Sequence, residues 1–117
     1  MLKTAVIGVG YLGRFHAQKF ASLEESELIG VVDTNPEQGK KVSEELDVPF
    51  YLNFEEIINK VDAVSIAVPT VHHYKYAKAF LANGVHVLLE KPFAETIEEA
   101  EELAQLSSDN NVSLQIG

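Results

Sequence analysis

The sequence predicts an α/β domain built as three layers, with a doubly wound parallel sheet between two layers of helices. Three observations carry this reading. Apolar runs alternate with amphipathic stretches from end to end of the chain. The runs are continuously apolar rather than alternating, which marks strands buried on both faces, as in a parallel sheet. The helical stretches carry their own start and stop signals. Right-handed crossovers between such strands give the order 3-2-1-4-5-6.

The strands read as Thr4–Val9, Leu28–Val32, a short Phe50-Tyr51, Ala63–Val68, Val85–Leu89 and Val112–Ile116. The first helix runs from about Tyr11 to Leu23, with Leu12, Phe15, Phe20 and Leu23 offered as its inner face. Asn35-Pro36 starts the second, since Asn caps and Pro suits the first helical position. Asn53 with Glu56 three residues on opens a short third helix as a capping box. The fourth spans Val71 to Ala82, with Tyr74, Ala77, Phe80 and Leu81 as its stripe and Asn83-Gly84 as its stop. Thr96 with Glu99 opens the fifth, which turns Ile97, Ala100, Leu103 and Ala104 inward.

At 117 residues the chain is one domain. Its formal net charge of −9 disfavours nucleic acid and anionic membrane surfaces as partners. The acidic run Glu95, Glu98, Glu99, Glu101 and Glu102 reads as a solvated helix face near a helix N-terminus. The chain contains no cysteine, and its four histidines lack tight metal spacing, so no metal site is expected. No apolar run has the length of a membrane span. The N-terminus enters a strand pattern directly, without a signal-peptide pattern, which leaves the cytoplasm as the expected location.

The sharpest motif is Gly8-Val9-Gly10-Tyr11-Leu12-Gly13, a G-x-G-x-x-G that follows a strand and opens a helix. In that setting Gly8 permits a tight turn, Gly10 lets a pyrophosphate approach the backbone, and Gly13 lets the helix pack close to the sheet. The helix N-terminus then offers N–H groups and a positive dipole end to phosphates. A strand-to-helix turn with no ligand is the plainer alternative. Asp33 ends the second strand 20 residues after Gly13. A carboxylate there accepts from both hydroxyls of an adenosine ribose and repels a 2′-phosphate. Thr34, Asn35, Pro36 and Glu37 follow with no cation, so NAD is favoured over NADP. Asp33 also reads as a turn or helix-start residue. Arg14-Phe15 follow Gly13 where an ATP-binding P-loop needs Lys and Ser or Thr.

Two further clusters end the fourth and fifth strands, at the edge that faces the ligand crevice of a doubly wound sheet. They are Ala67-Val68-Pro69-Thr70-Val71-His72-His73 and Glu90-Lys91-Pro92. A Lys beside a Glu at such an edge suits a charged group that orients a hydroxyl or carboxamide. Taken alone, it reads equally as a surface Lys before a turn-forming Pro.

Together these motifs make the chain resemble the N-terminal Rossmann domain of the Gfo/Idh/MocA (glucose–fructose oxidoreductase / inositol dehydrogenase) family. The matching residues are the glycine motif with His16-Ala17, Val32-Asp33, Ala67-Val68-Pro69-Thr70 with His72-His73, and Glu90-Lys91-Pro92. The resemblance covers the whole chain but only the family's cofactor half. Members typically continue into a second domain that supplies most of the substrate site and the usual subunit interface, so an oligomer is expected only with that domain. It implies that Gly8, Gly10, Tyr11, Leu12 and Gly13 contact the pyrophosphate, and that Asp33 and Thr34 hold the adenosine ribose. Ala67, Val68, Pro69 and Thr70 line the path to the nicotinamide. His73, rather than His72, lies near its ribose, which Glu90 contacts. Lys91 is the active-site lysine, and Gln115 approaches the nicotinamide. His16 reads equally as a packed helix residue or a ligand neighbour, and His86 as structural.

The implied function is hydride transfer between nicotinamide and a sugar, cyclitol or nucleotide-sugar hydroxyl. The chain ends at Ile116-Gly117 where members run on, so the resemblance implies a domain that binds cofactor without turnover. A non-catalytic NAD-binding module, regulatory or scaffolding, is the alternative, with another nucleotide-binding α/β domain behind it.

Overall fold

A computed structural model describes residues 1–90 and 94–116, with Tyr11 described through its backbone alone. The elements in chain order are β1 (Leu2–Ile7), α1 (Tyr11–Ser22), β2 (Ser26–Val32), α2 (Pro36–Leu46), β3 (Phe50–Tyr51), β4 (Ala63–Ile66), α3 (His73–Ala82), β5 (His86–Leu89), α4 (Ile97–Asp109) and β6 (Leu114–Ile116). Three-residue 3₁₀ turns at Phe54–Glu56 and Thr70–His72 complete them. The first replaces the expected third helix, although the Glu56 carboxylate accepts from the Asn53 N–H at 3.3 Å as a capping box requires. The strands form one parallel sheet in the order β3-β2-β1-β4-β5-β6, as the alternation predicts. No described helix is long and apolar enough to cross a membrane.

Capping fixes where the helices begin. The Asn35 side chain accepts from the N–H groups of Glu37 and Gln38 at 3.0 and 3.3 Å, with Pro36 in the first helical position. The Thr96 hydroxyl accepts from the Glu99 N–H at 3.1 Å. The Glu99 carboxylate reaches back to the N–H of Glu95 rather than that of Thr96.

The core lies on both sides of the sheet. On one face Ala5, Ile7, Val64, Ile66, Val87 and Leu89 pack with Ala77, Phe80 and Leu81 of α3 and Leu103 of α4. On the other, Val6, Leu28 and Val31 pack with Ala17 of α1 and Val42 of α2. Between α3 and α4, Tyr74 donates to Glu102 at 2.7 Å and Lys78 pairs with the same carboxylate at 3.0 Å. Those two hydrogen bonds hold the Glu102 carboxyl below the usual carboxylate range.

Three expectations are corrected. Leu12, Phe15 and Leu23 of α1 are exposed, and the face set against the sheet is Gly13, Ala17 and Phe20. Small residues hold the start of that face because helix and sheet approach most closely at Gly13, and Phe20 packs further along the helix. On α4, Ile97 is 73 % exposed and Ala104 is exposed, so Ala100, Leu103 and Leu106 form the inward stripe. Finally, β5 is fully covered on one face only, and β6, where Leu114 and Ile116 are half-buried, on neither. His86 and Leu88 are half-buried and Gln115 is exposed, because α1 and α2 sit over β1, β2 and β3. A groove of about 380 Å³ lies there, lined by Phe20, Ala63, His86, Leu88 and Gln115 among others. His86 has a structural role: its Nδ1 accepts from the Ser113 N–H at 2.9 Å, tying β5 to the segment entering β6.

Leu103 is the one fully buried side chain of α4. Leu103→Ala is expected to lower unfolding free energy by about 2–5 kcal/mol. A denaturant titration checks this through a lower midpoint at unchanged slope.

Candidate functional site

Register brings the sequence motifs to one edge. Tyr51 pairs with Val32, Val32 with Ile7, Ile7 with Ile66, Ile66 with Leu89, and Leu89 with Ile116. One level row therefore ends all six strands, and the described residues that follow it lie along one rim. The ladder extends one step into that rim. The N–H groups of Gly8, Asp33 and Ala67 donate to the carbonyls of Val32, Tyr51 and Ile7 at 2.7, 3.2 and 2.8 Å. Strands β1 and β4 are adjacent but their chains leave toward opposite faces, and the crevice opens at that switch point.

The glycine loop shows three different reasons for lacking a side chain. Gly8 has φ of +87°, a left-handed backbone, and a Cβ there would meet the Ala67 carbonyl oxygen at 2.9 Å. At Gly13 a Cβ would run into the Gly8 carbonyl, so α1 sits directly on the end of β1. Gly10 is otherwise: its φ is −66°, and a Cβ would meet nothing within 4 Å. Neither backbone nor neighbours demand glycine there, and the vacant position opens on the cleft. The first intrahelical bond of α1 runs from the Arg14 N–H to the Gly10 carbonyl at 2.9 Å. The N–H groups of Tyr11, Leu12 and Gly13 precede it, and no side chain caps them. This arrangement suits a pyrophosphate cradle, with donors at a positive helix end and room where a side chain would stand.

Val9 is clamped from both sides to hold that cradle. Its N–H donates to Asp33 Oδ2 at 3.0 Å, and its carbonyl accepts from Gln38 Nε2 at 2.7 Å. Asp33 Oδ1 also accepts from the Asn35 N–H at 2.8 Å. Asp33 is thus a turn-forming residue and a loop anchor. Each carboxylate oxygen keeps a further lone pair, so ribose hydroxyls fit the same group. Gln38 carries no sequence signal as a loop anchor, because its partner lies 29 residues away.

A cleft of about 850 Å³ runs along the rim, within the range of small-molecule sites. Gly8, Gly10, Asp33, Thr34, Ala67, Val68 and Pro69 line it, as do Leu52, Phe54, His72, Lys75 and Tyr76. Apart from His72, which the sequence reading ranked below His73, the second group adds residues that sequence reasoning missed, and Lys75 brings a cation to the same cleft as Asp33. Thr70 is half-buried in the 3₁₀ turn that leads into α3. His72 faces the cleft, whereas His73, the residue singled out by spacing, is buried beneath it. His73 Nε2 donates to the Val68 carbonyl at 2.8 Å, and its Nδ1 is buried without a partner among the described residues. Gln115 lies on the groove of the opposite face rather than in this cleft.

Glu90 immediately follows β5. Its Oε1 lies 3.0 Å from His16 Nε2, and His16 Nδ1 pairs with the hydroxyl of Ser65 on β4. Lys91, with Pro92 and Phe93, lies outside the described residues. No three His, Asp or Glu side chains converge as a metal site among the described residues.

Residues 2–117 match the Gfo/Idh/MocA family model, described as an oxidoreductase family with an NAD-binding Rossmann fold. The chain is 43 % identical over 116 residues to UDP-N-acetylglucosamine 3-dehydrogenase of Acidithiobacillus ferrooxidans, covering 99 % of this chain and 36 % of that protein. The solved structure of that enzyme superimposes with a TM-score of 0.95, over 99 % of this chain and 38 % of the other. Scyllo-inositol dehydrogenase of Lactobacillus casei, solved with NAD(H) and scyllo-inositol, gives a TM-score of 0.92 at 28 % identity, over all of this chain and 36 % of that one. Scyllo-inositol 2-dehydrogenase (NADP(+)) of Bacillus subtilis is 29 % identical over 118 residues, 98 % of this chain and 32 % of its own length. The chain thus spans about a third of the length of the curated relatives it matches. On the family match, the fold and the glycine cradle together, this chain belongs to the Gfo/Idh/MocA oxidoreductase family, as its NAD(P)-binding Rossmann domain.

Proposed function

We propose that the chain is the cofactor half of a dehydrogenase that moves a hydride between nicotinamide and a hydroxyl of a sugar, cyclitol or nucleotide sugar. The observation that carries the cofactor reading is Gly10, whose missing side chain is required by nothing in the protein itself. The N–H groups of Tyr11, Leu12 and Gly13 hold the pyrophosphate, and Asp33 with Thr34 the adenosine ribose. Ala67, Val68, Pro69 and Thr70 lead toward the nicotinamide, and Glu90 meets its ribose. When bound, the nicotinamide ring supplies the hydride acceptor. Lys91 orients the reacting hydroxyl or carries its proton. Support for the substrate class comes from relatives that act on UDP-N-acetylglucosamine or scyllo-inositol. A second domain supplies the remaining substrate contacts and the oligomer interface.

NAD(H) is favoured over NADP(H), because Asp33 meets a 2′-phosphate with like charge. Lys75 is the opposing consideration, as a cation lining the same cleft. Calorimetric titration is expected to give at least about tenfold tighter binding of NAD(H), roughly 1.4 kcal/mol. Equal affinities would remove Asp33 from the ribose. Replacing Asp33 by Ser together with Thr34→Arg shifts the ratio toward NADP(H).

Gly10 and Gly13 separate ligand from fold. Gly10→Val is expected to fold with stability within about 1 kcal/mol of the parent and to lose cofactor binding. Its melting temperature then no longer rises on adding NAD, whereas the parent gains about 2.7 kcal/mol at a hundredfold excess over Kd. Gly13→Val is expected to lose about 1–3 kcal/mol or more from the clash with Gly8. A Gly10→Val chain with unchanged NAD affinity would leave the loop a purely structural turn.

The chain is expected to bind cofactor without turnover. Hydride transfer needs the substrate carbon held roughly 3–3.5 Å from the nicotinamide. NADH formation at 340 nm, with sugars, inositols and nucleotide sugars, compares this chain with one extended through a second domain. Equal rates would overturn the half-enzyme reading. In the extended enzyme, Lys91→Ala is expected to cut turnover by about two to four orders of magnitude while NAD affinity changes little.

A further inference from the structure

We propose that His16 is a positioning residue, which fixes the Glu90 carboxylate at the rim beside Ala67, on the side where the nicotinamide half of the cofactor would lie, with Ser65 as its anchor. The proposal rests on the cofactor reading above. His16 lies one turn into α1, on the helix that begins at the phosphate cradle. Its ring spans three elements, pairing with Ser65 on β4 and with Glu90 just past β5. Ser65 is fully buried in an otherwise apolar strand. A buried hydroxyl needs a partner, and the imidazole Nδ1 supplies one.

The two contacts select one arrangement of the ring. A hydroxyl both donates and accepts, so Ser65 suits His16 whether Nδ1 carries a proton or not. A carboxylate only accepts. Oε1 of Glu90 at 3.0 Å therefore requires the proton on Nε2. In the neutral ring this leaves Nδ1 as the acceptor, and the Ser65 hydroxyl donates to it.

Glu90 sits where an oriented carboxylate is useful. With the adenosine at Asp33 on β2 and the pyrophosphate at the start of α1, the nicotinamide half lies toward β4 and β5. Leu89 pairs with Ile66, so Glu90 leaves the rim beside Ala67. Its side chain is 29 % exposed, and its second oxygen has no partner among the described residues. One oxygen is held and the other is open to a ribose hydroxyl. Without His16 the carboxylate is free to swing among its rotamers, and a ligand must order it on binding. The phosphate cradle involves neither Glu90 nor Ser65, so the effect is confined to the nicotinamide half.

That confinement gives the test. Calorimetry with NAD+ reads both halves of the cleft, and calorimetry with ADP reads only the adenosine and phosphate half. For His16→Ala we expect NAD+ affinity to fall about five- to twentyfold, as for ordering one freed glutamate side chain on binding, with ADP affinity unchanged within about twofold. His16→Gln, which donates and accepts through its amide, is expected to recover most of the loss. In a Glu90→Ala background the effect of His16→Ala disappears. Ser65→Ala adds no volume to β4 and is expected to give a smaller NAD+-selective loss, so the comparison survives should His16→Ala fail to fold. Equal weakening of both ligands, or no NAD+-selective loss in either variant, overturns the proposal alone. A parent chain that binds neither ligand overturns the cofactor reading and the proposal with it.

Discussion

The close approach of α1 to β1 is the constraint on which the rest of the site depends. It exists because Gly13 stands where any side chain would enter the Gly8 carbonyl. With helix and strand in direct backbone contact, the first turn of α1 cannot retreat from the rim. Its uncapped N–H groups point into the crevice, and Gly10 is left at the open edge. One turn further along, the same seating carries His16 over β4 to Ser65 and Glu90. On the outer side it turns Arg14 toward α2, where the guanidinium pairs with Glu45. A side chain at position 13 would displace all of these at once.

The strands, their order and the helix starts were legible because each is written in neighbouring residues. Asn35-Pro36 and Thr96 with Glu99 are local capping chemistry, and apolar runs locate strands without reference to the rest of the chain. The inner face of α1 was not legible. Hydrophobicity points to Leu12, Phe15, Phe20 and Leu23, yet distance to the sheet decides the face, and of these only Phe20 joins Gly13 and Ala17 on it. The same holds for β5 and β6. Their apolar runs suggest two buried faces, while cover depends on where α1 and α2 come to rest.

The candidate site divides along the same line. The glycine motif and Asp33 could be read from spacing, because strand, turn and helix are contiguous there. Gln38 and Ser65 could not, since each meets its partner through contacts that only the folded sheet makes, and the place of Lys75 on the cleft depends on how α3 is set. The choice between His72 and His73 turns on a single residue of helical phase, about 100° of rotation. The 3₁₀ turn at Thr70–His72 sets that phase, so that His73 is directed under the Val68 carbonyl and His72 toward the cleft.

In an acidic chain, a loop suited to a pyrophosphate must rely on local rather than overall charge. The net charge of −9 opposes an anion at long range, but exposed charges are screened beyond about 8–10 Å at ordinary ionic strength. Among the described residues, Arg14 beside the cradle is already paired with Glu45, whose hydrogen bond raises its pKa further, and Lys75 lines the same cleft from α3. The donors at the loop itself are backbone: the N–H groups of residues 11 to 13 and the positive end of α1. Such donors are fixed by the fold and cost no side-chain ordering when an anion arrives. The clamps on Val9 from Asp33 and Gln38 belong to the same arrangement. They spend a carboxylate and an amide on holding the loop still, so that anion binding rests on oriented peptide dipoles, whose reach is only the first turn of the helix.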